Sequence, residues 1–117
     1  MKIRAIPDIY ERTGRESPNL LLTANRVYSV VSIESECYRI INDRLEPCLY
    51  PKELFEVVDP SYPCSWVKTE YDEGEYYIEP FEFSAVGFFE DYFDGDSRAI
   101  EIYNNYLKSN GLSGSLK

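Results

Sequence analysis

The chain contains no histidine. That absence removes hydrolase chemistry built on an imidazole base, and histidine-ligated metal sites with it. The three cysteines, Cys37, Cys48 and Cys64, lie 11 and 16 residues apart, without the close pair that a zinc knuckle needs. An odd number cannot pair fully within one chain. No glycine-rich phosphate loop or dinucleotide fingerprint is present. Basic residues are scarce, 12 against 21 acidic, for a formal charge of −9. Contact with a phosphate backbone needs Lys and Arg, so the balance argues against direct nucleic-acid binding. No apolar run approaches the ~20 residues of a membrane span. The opening Met1-Lys2-Ile3-Arg4 has no apolar secretory segment. The expectation is a cytoplasmic protein with reduced, structural thiols, no membrane contact, no metal and no cofactor.

What is present is acid and aromatic. Hydrophobic residues make up 44% and aromatics 15% of 117 residues, which favours one folded domain over disorder. The charge is uneven. Residues 1–59 carry eight basic and ten acidic side chains, whereas residues 60–117 carry four and eleven. Between Glu70 and Asp96 there are ten carboxylates, nine aromatics and no Lys or Arg. Acids interleaved with large rings suit a negative surface that binds a basic partner, with fast and salt-sensitive association.

The pattern reads as mainly β. Ile3 to Ile6 alternates. Asp8 to Asn19, with Gly14 and Pro18, reads as a loop. Val27 to Ile33 is the clearest strand, with Val27, Ser29, Val31 and Ile33 on one face and Tyr28, Val30 and Ser32 on the other. Cys37 to Ile41 is a second strand, and Asn42-Asp43 opens a turn. Pro47 to Pro51 is an edge piece bracketed by prolines, and Glu56-Val57-Val58 a closing strand. Asp59 to Pro63, with two prolines, marks a boundary. Trp66 to Tyr71 and Glu75 to Ile78 form a hairpin around Asp72-Glu73-Gly74. Residues 81–95 are ambiguous, with a short helix near Phe88–Phe93. Asp96 caps a C-terminal helix that runs to about Ser109 and carries a stripe of Ala99, Ile100, Tyr103, Tyr106 and Leu107. The expected organisation is a single domain over 1–117: a barrel portion at 1–59, the hairpin and helix at 60–111, and a flexible tail at 112–117.

Two acidic motifs suggest chemistry and fail on inspection. Asp91 to Asp96, with Glu101 downstream, superficially matches a calcium loop, but Tyr92 falls at a ligand position where a carboxylate is required. It reads as a turn and a helix cap. A glycosidase pair needs two differently tuned acids in a cleft, and nothing in the sequence selects such a pair.

Residues 20–58 resemble a bacterial SH3-like barrel module. The resemblance rests on Leu22-Thr23, Val27-Tyr28-Ser29-Val30, Tyr38-Arg39-Ile40-Ile41-Asn42-Asp43, Leu49-Tyr50-Pro51 and Leu54-Phe55-Glu56-Val57-Val58. It departs at Asn25, where such modules often have glycine. The expected fold is therefore an SH3-like barrel with an added β-hairpin and a C-terminal α-helix; the alternative is an α+β single sheet with one helix. Farther on, Pro63, Trp66-Val67, Glu75-Tyr76-Tyr77-Ile78, the run from Gly87 to Asp96 and the closing helix resemble small acidic immunity proteins of bacterial polymorphic-toxin and contact-dependent inhibition systems. That resemblance implies a non-catalytic protein that blocks a cognate toxin domain, often a cationic nuclease.

The candidate partner contacts are Asp72, Glu73, Glu75, Tyr77, Glu79, Glu82, Asp91 and Asp94. In the hairpin, Tyr76 and Ile78 would face the core, and Glu75, Tyr77 and Glu79 would look outward together. The alternative is an SH3-like adaptor that holds a peptide in a groove of Tyr28, Tyr38 and Tyr50. A small enzyme is a third reading, marked by one cysteine that alkylates far faster than the others. Oligomeric state is not specified by the sequence.

Overall fold

The computed structural model describes residues 1–112. Residues 113–117, most of the expected tail, lie outside the described residues. The chain divides into two compact units, Met1–Glu79 and the part from Pro80 onward.

The first unit is a seven-stranded sheet with two short helices. Its strands are β1 (Lys2–Ala5), β2 (Val27–Glu34), β3 (Cys37–Ile41), β4 (Pro47–Pro51), β5 (Phe55–Asp59), β6 (Val67–Glu70) and β7 (Tyr76–Glu79). The main path runs β4-β3-β2-β1-β5, and β7 pairs with β2 and with β6. Strand β2 organises the sheet. It pairs with β1 over Val27 to Ser29, with β3 over Val30 to Ile33, and with β7 at Ile33 and Glu34. The core contains Ile3, Ala5, Ile9, Leu22, Tyr28, Val30, Ile33, Ile40 and Leu54. Two helices, α1 (Ile9–Thr13) and α2 (Ser17–Leu20), occupy the segment expected to be a loop. Ile9 and Leu20 are buried, and Pro18 falls in the first turn of α2, where its missing N–H is not needed.

This fold is not an SH3-like barrel. The sheet is open: among the described residues, β4 and β5 end the path and do not pair with each other. The expected closing strand pairs only with β1, and a bulge at Val58 breaks its register there. Beyond Phe55 every residue of β5 is exposed. The bulge leaves the extra residue unpaired and disrupts the ladder along this edge. With four α-helices among the described residues, the fold is mixed α/β.

A second bulge changes the reading of β2. Val30 registers with Ile40, but Ser32 registers with Arg39 and Ile33 with Tyr38, so Val31 is the extra residue. Tyr28, Val30 and Ile33 therefore share the core face, and Ser32 and Glu34 turn to the opposite one. Simple alternation had placed Ile33 opposite Val30.

The second unit is built on aromatic packing. After a helical turn at Phe81–Phe83 come α3 (Phe88–Phe93) and α4 (Ser97–Ser109). Phe83 stacks on Phe88 at 5.0 Å between ring centroids and meets Tyr106 at 4.8 Å, and Tyr92 meets Tyr103 at 5.0 Å. Ala99, Tyr103, Tyr106 and Leu107 form the buried stripe of α4. The Asp96 carboxylate accepts the Arg98 and Ala99 N–H groups at 2.8 and 3.2 Å, as its cap position predicts. Gly95, at φ 86°, supplies the left-handed link between the two helices.

Candidate binding face

The β6–β7 hairpin forms where it is expected. Val67 registers with Glu79, Thr69 with Tyr77 and Glu70 with Tyr76. Its turn needs two left-handed residues, Glu73 at φ 66° and Gly74 at φ 78°, and the Tyr71 N–H closes it onto the Glu75 carbonyl at 2.7 Å. Tyr76 and Ile78 pack against the core. Lys52 and Lys68 both sit over the Tyr76 ring on that side. The pleat then puts Glu75, Tyr77 and Glu79 on the other face.

On that face Tyr71 and Tyr77 make an edge contact, ring centroids 5.2 Å apart. Tyr71 is half exposed. Glu34 arrives beside Tyr77 from β2, its cross-strand neighbour. The Tyr77 phenol is pushed up chiefly by the charge of Glu34, then by burial and by Tyr71, Glu75 and Glu79. The hydroxyl therefore stands in a negative field in which Glu34 is the largest contributor. Beneath lies Arg39, 12% exposed, with Nη1 donating to the Pro47 carbonyl at 2.8 Å and Nη2 3.9 Å from Glu34.

Glu79 departs from expectation. It is 8% exposed rather than outward-facing. Burial raises its carboxyl to about 7 and Glu34 pushes the same way, while Arg39 and a hydrogen bond from Ser32 oppose the rise. Burial also raises Glu34, with Arg39 opposing. These two acids share one guanidinium, so their combined negative charge exceeds the local positive charge.

Of the eight predicted contacts, Asp72, Glu73, Glu75, Tyr77 and Glu79 lie on this hairpin. Glu82, Asp91 and Asp94 are exposed on the second unit. Of the neighbouring rings there, Phe83 and Phe88 are buried, whereas Phe81 and Phe93 are exposed. Sequence reasoning missed Glu34 and Arg39. The bulge at Val31 turns Glu34 to this face, and alternation carries no sign of it.

The three tyrosines of the expected adaptor groove are buried. Tyr28, Tyr38 and Tyr50 are each at most 8% exposed. The Tyr28 hydroxyl donates to Asp43 at 2.7 Å and that of Tyr50 to the Leu20 carbonyl at 3.0 Å. Burial raises the thiols of Cys37 and Cys48, which makes them poor nucleophiles, while Cys64 is exposed. Among the described residues, no group of three His, Cys, Asp or Glu side chains is placed to hold a metal ion, and no helix is long and apolar enough to cross a membrane.

Comparison with models of protein families, with curated proteins and with solved structures finds no match to this chain.

Proposed function

We propose that this chain is a non-catalytic binding protein that captures a basic partner protein on the outer face of its hairpin, in the manner of an immunity protein covering a cationic toxin domain. One observation carries the reading: Tyr71 and Tyr77 in edge contact, with Glu34 and Glu75 beside Tyr77. Paired rings give rigid contact area, and the carboxylates supply the field that draws in Lys and Arg side chains. Block of the partner is steric and electrostatic.

The test is capture by the full chain from lysate of its source cell at low and high salt, with the captured protein identified by mass, followed by association kinetics with that protein purified. Glu34→Lys with Glu75→Lys is expected to slow association at least tenfold at low salt and to flatten its salt dependence. Tyr71→Ala is expected to act on dissociation instead. Kinetics unchanged by all three substitutions would remove this face from the function.

A further inference from the structure

The hairpin is held to the rest of its unit through β7. Strand β7 meets β2 at two register positions, Ile33↔Ile78 and Glu34↔Tyr77. Side-chain hydrogen bonds reinforce them. The Tyr76 N–H donates to the Ser35 hydroxyl at 2.9 Å, and the Lys52 ammonium donates to the Tyr76 hydroxyl at 3.2 Å.

Glu79, the last residue of β7, is buried next to this attachment. From β2 it faces the Ser32 hydroxyl and Glu34, and from β3 it faces Arg39. Strand β6 places Val67 opposite it and brings no charge to this face, because Lys68 and Glu70 register with Ile78 and Tyr76 on the core side. On its own strand the nearest titratable groups on this face are Tyr77 and Glu75. Among the described residues the cation on this face is Arg39, which gives Nη1 to the Pro47 carbonyl and stands at the long distance of 3.9 Å from Glu34. A second buried carboxylate there has only a share of its charge compensated.

We propose that Glu79 is a proton-operated latch on the hairpin: protonated, it lets β7 seat on β2, and ionised, it loosens that seat. The raised carboxyl, about 7, supports this geometry. A carboxyl whose value is higher in the seated hairpin than in the open one holds a proton that opening releases. The hold is therefore fullest below the ordinary carboxylate range, falls as pH rises toward neutrality, and levels off above it. This is opposite in sign to a carboxylate held by an ion pair. The latch does not depend on the identity of any partner.

The test uses amide hydrogen exchange of Tyr77 and Ile78 in the full chain at pH 6 and pH 8, corrected for the intrinsic pH dependence of exchange. Opening is expected to be roughly tenfold greater at pH 8 in the wild type and equal at the two pH values in Glu79→Gln. Carbon-13 titration of the Glu79 carboxyl in the wild type needs no variant; a midpoint near neutrality is expected, moved down by Glu34→Gln. A midpoint in the ordinary carboxylate range, equal wild-type opening at both pH values, or a pH response retained in Glu79→Gln would each overturn the proposal. Loss of partner binding in Glu34→Lys bears on the proposed function and leaves these readings untouched.

Discussion

Asp43 ties together segments distant in sequence. Its Oδ1 accepts the Tyr28 hydroxyl at 2.7 Å and Arg26 Nη1 at 3.2 Å, and its Oδ2 accepts the Thr23 hydroxyl at 2.8 Å and the Ser17 hydroxyl at 3.4 Å. Its backbone N–H also meets the Leu21 carbonyl at 2.9 Å. The loop containing Leu21, left-handed at φ 64°, is thereby fastened to the β3–β4 turn. Next to it, Asn42 Oδ1 accepts the Arg44 and Glu46 N–H groups, which shapes that turn around left-handed Leu45. Bonds to a charged acceptor are stronger than neutral ones, and a hydroxyl deprived of its acceptor keeps its desolvation cost. Asp43→Ala is expected to lower stability by about 2–3 kcal/mol in urea unfolding, and Asp43→Asn by less, since one acceptor oxygen remains. A loss below about 0.5 kcal/mol in the alanine variant would show that the network is idle.

At the scale of elements, Phe83 is the centre of the second unit. It is 2% exposed and in ring contact with Phe88, Phe89, Tyr103 and Tyr106. Phe83→Ala is expected to cost about 3–5 kcal/mol, read as increased hydrogen exchange through α3 and α4. Protection unchanged from wild type would mean that this aromatic packing contributes little. Elements fixed by local chemistry were legible in the sequence. Asp96 announced its helix, Asn42-Asp43 its turn, and Asp72-Glu73-Gly74 its hairpin, because each side chain or glycine acts on backbone only a few residues away. Two features were not legible. The bulge at Val31 leaves the composition of β2 looking like a plain strand, yet it decides that Glu34 joins Tyr77. Closure of the sheet depends on which distant strands pair, and no single segment encodes that. The fold read from segment patterns was accordingly a barrel, whereas the chain forms an open sheet.

At the scale of the molecule, the negative charge is divided between the two units. The hairpin face holds Glu34, Glu75 and Tyr77 close together, while Glu82, Asp91 and Asp94 project from a unit whose buried rings are occupied with one another. Phe81 and Phe93 are exposed on that unit, next in sequence to Glu82 and Asp94, whereas Glu34 and Glu75 meet the Tyr71–Tyr77 ring pair; charge on its own gives long-range attraction but little hold. Asp91→Lys with Asp94→Lys is therefore expected to slow capture of the basic partner only a fewfold, and less than Glu34→Lys with Glu75→Lys. Equal effects from the two pairs would make net charge the whole explanation and leave the tyrosines without a part.

The open sheet also bears on how the chain coexists with copies of itself. Strand β5 presents Val57 and Val58 to water along an unpaired border, the kind of border on which strands of neighbouring molecules accumulate. The Val58 bulge disrupts the template, and Glu56 and Asp59 guard it by mutual repulsion between copies. At Asp59 the guard lasts only while the carboxylate is ionised. Asp59, held below the usual carboxylate value by the Ser61 hydroxyl and N–H, keeps its charge further into acid than an ordinary aspartate. The protection that Asp59 gives against edge-to-edge polymerisation thus extends into moderately acidic solution and ends where its carboxylate takes up a proton.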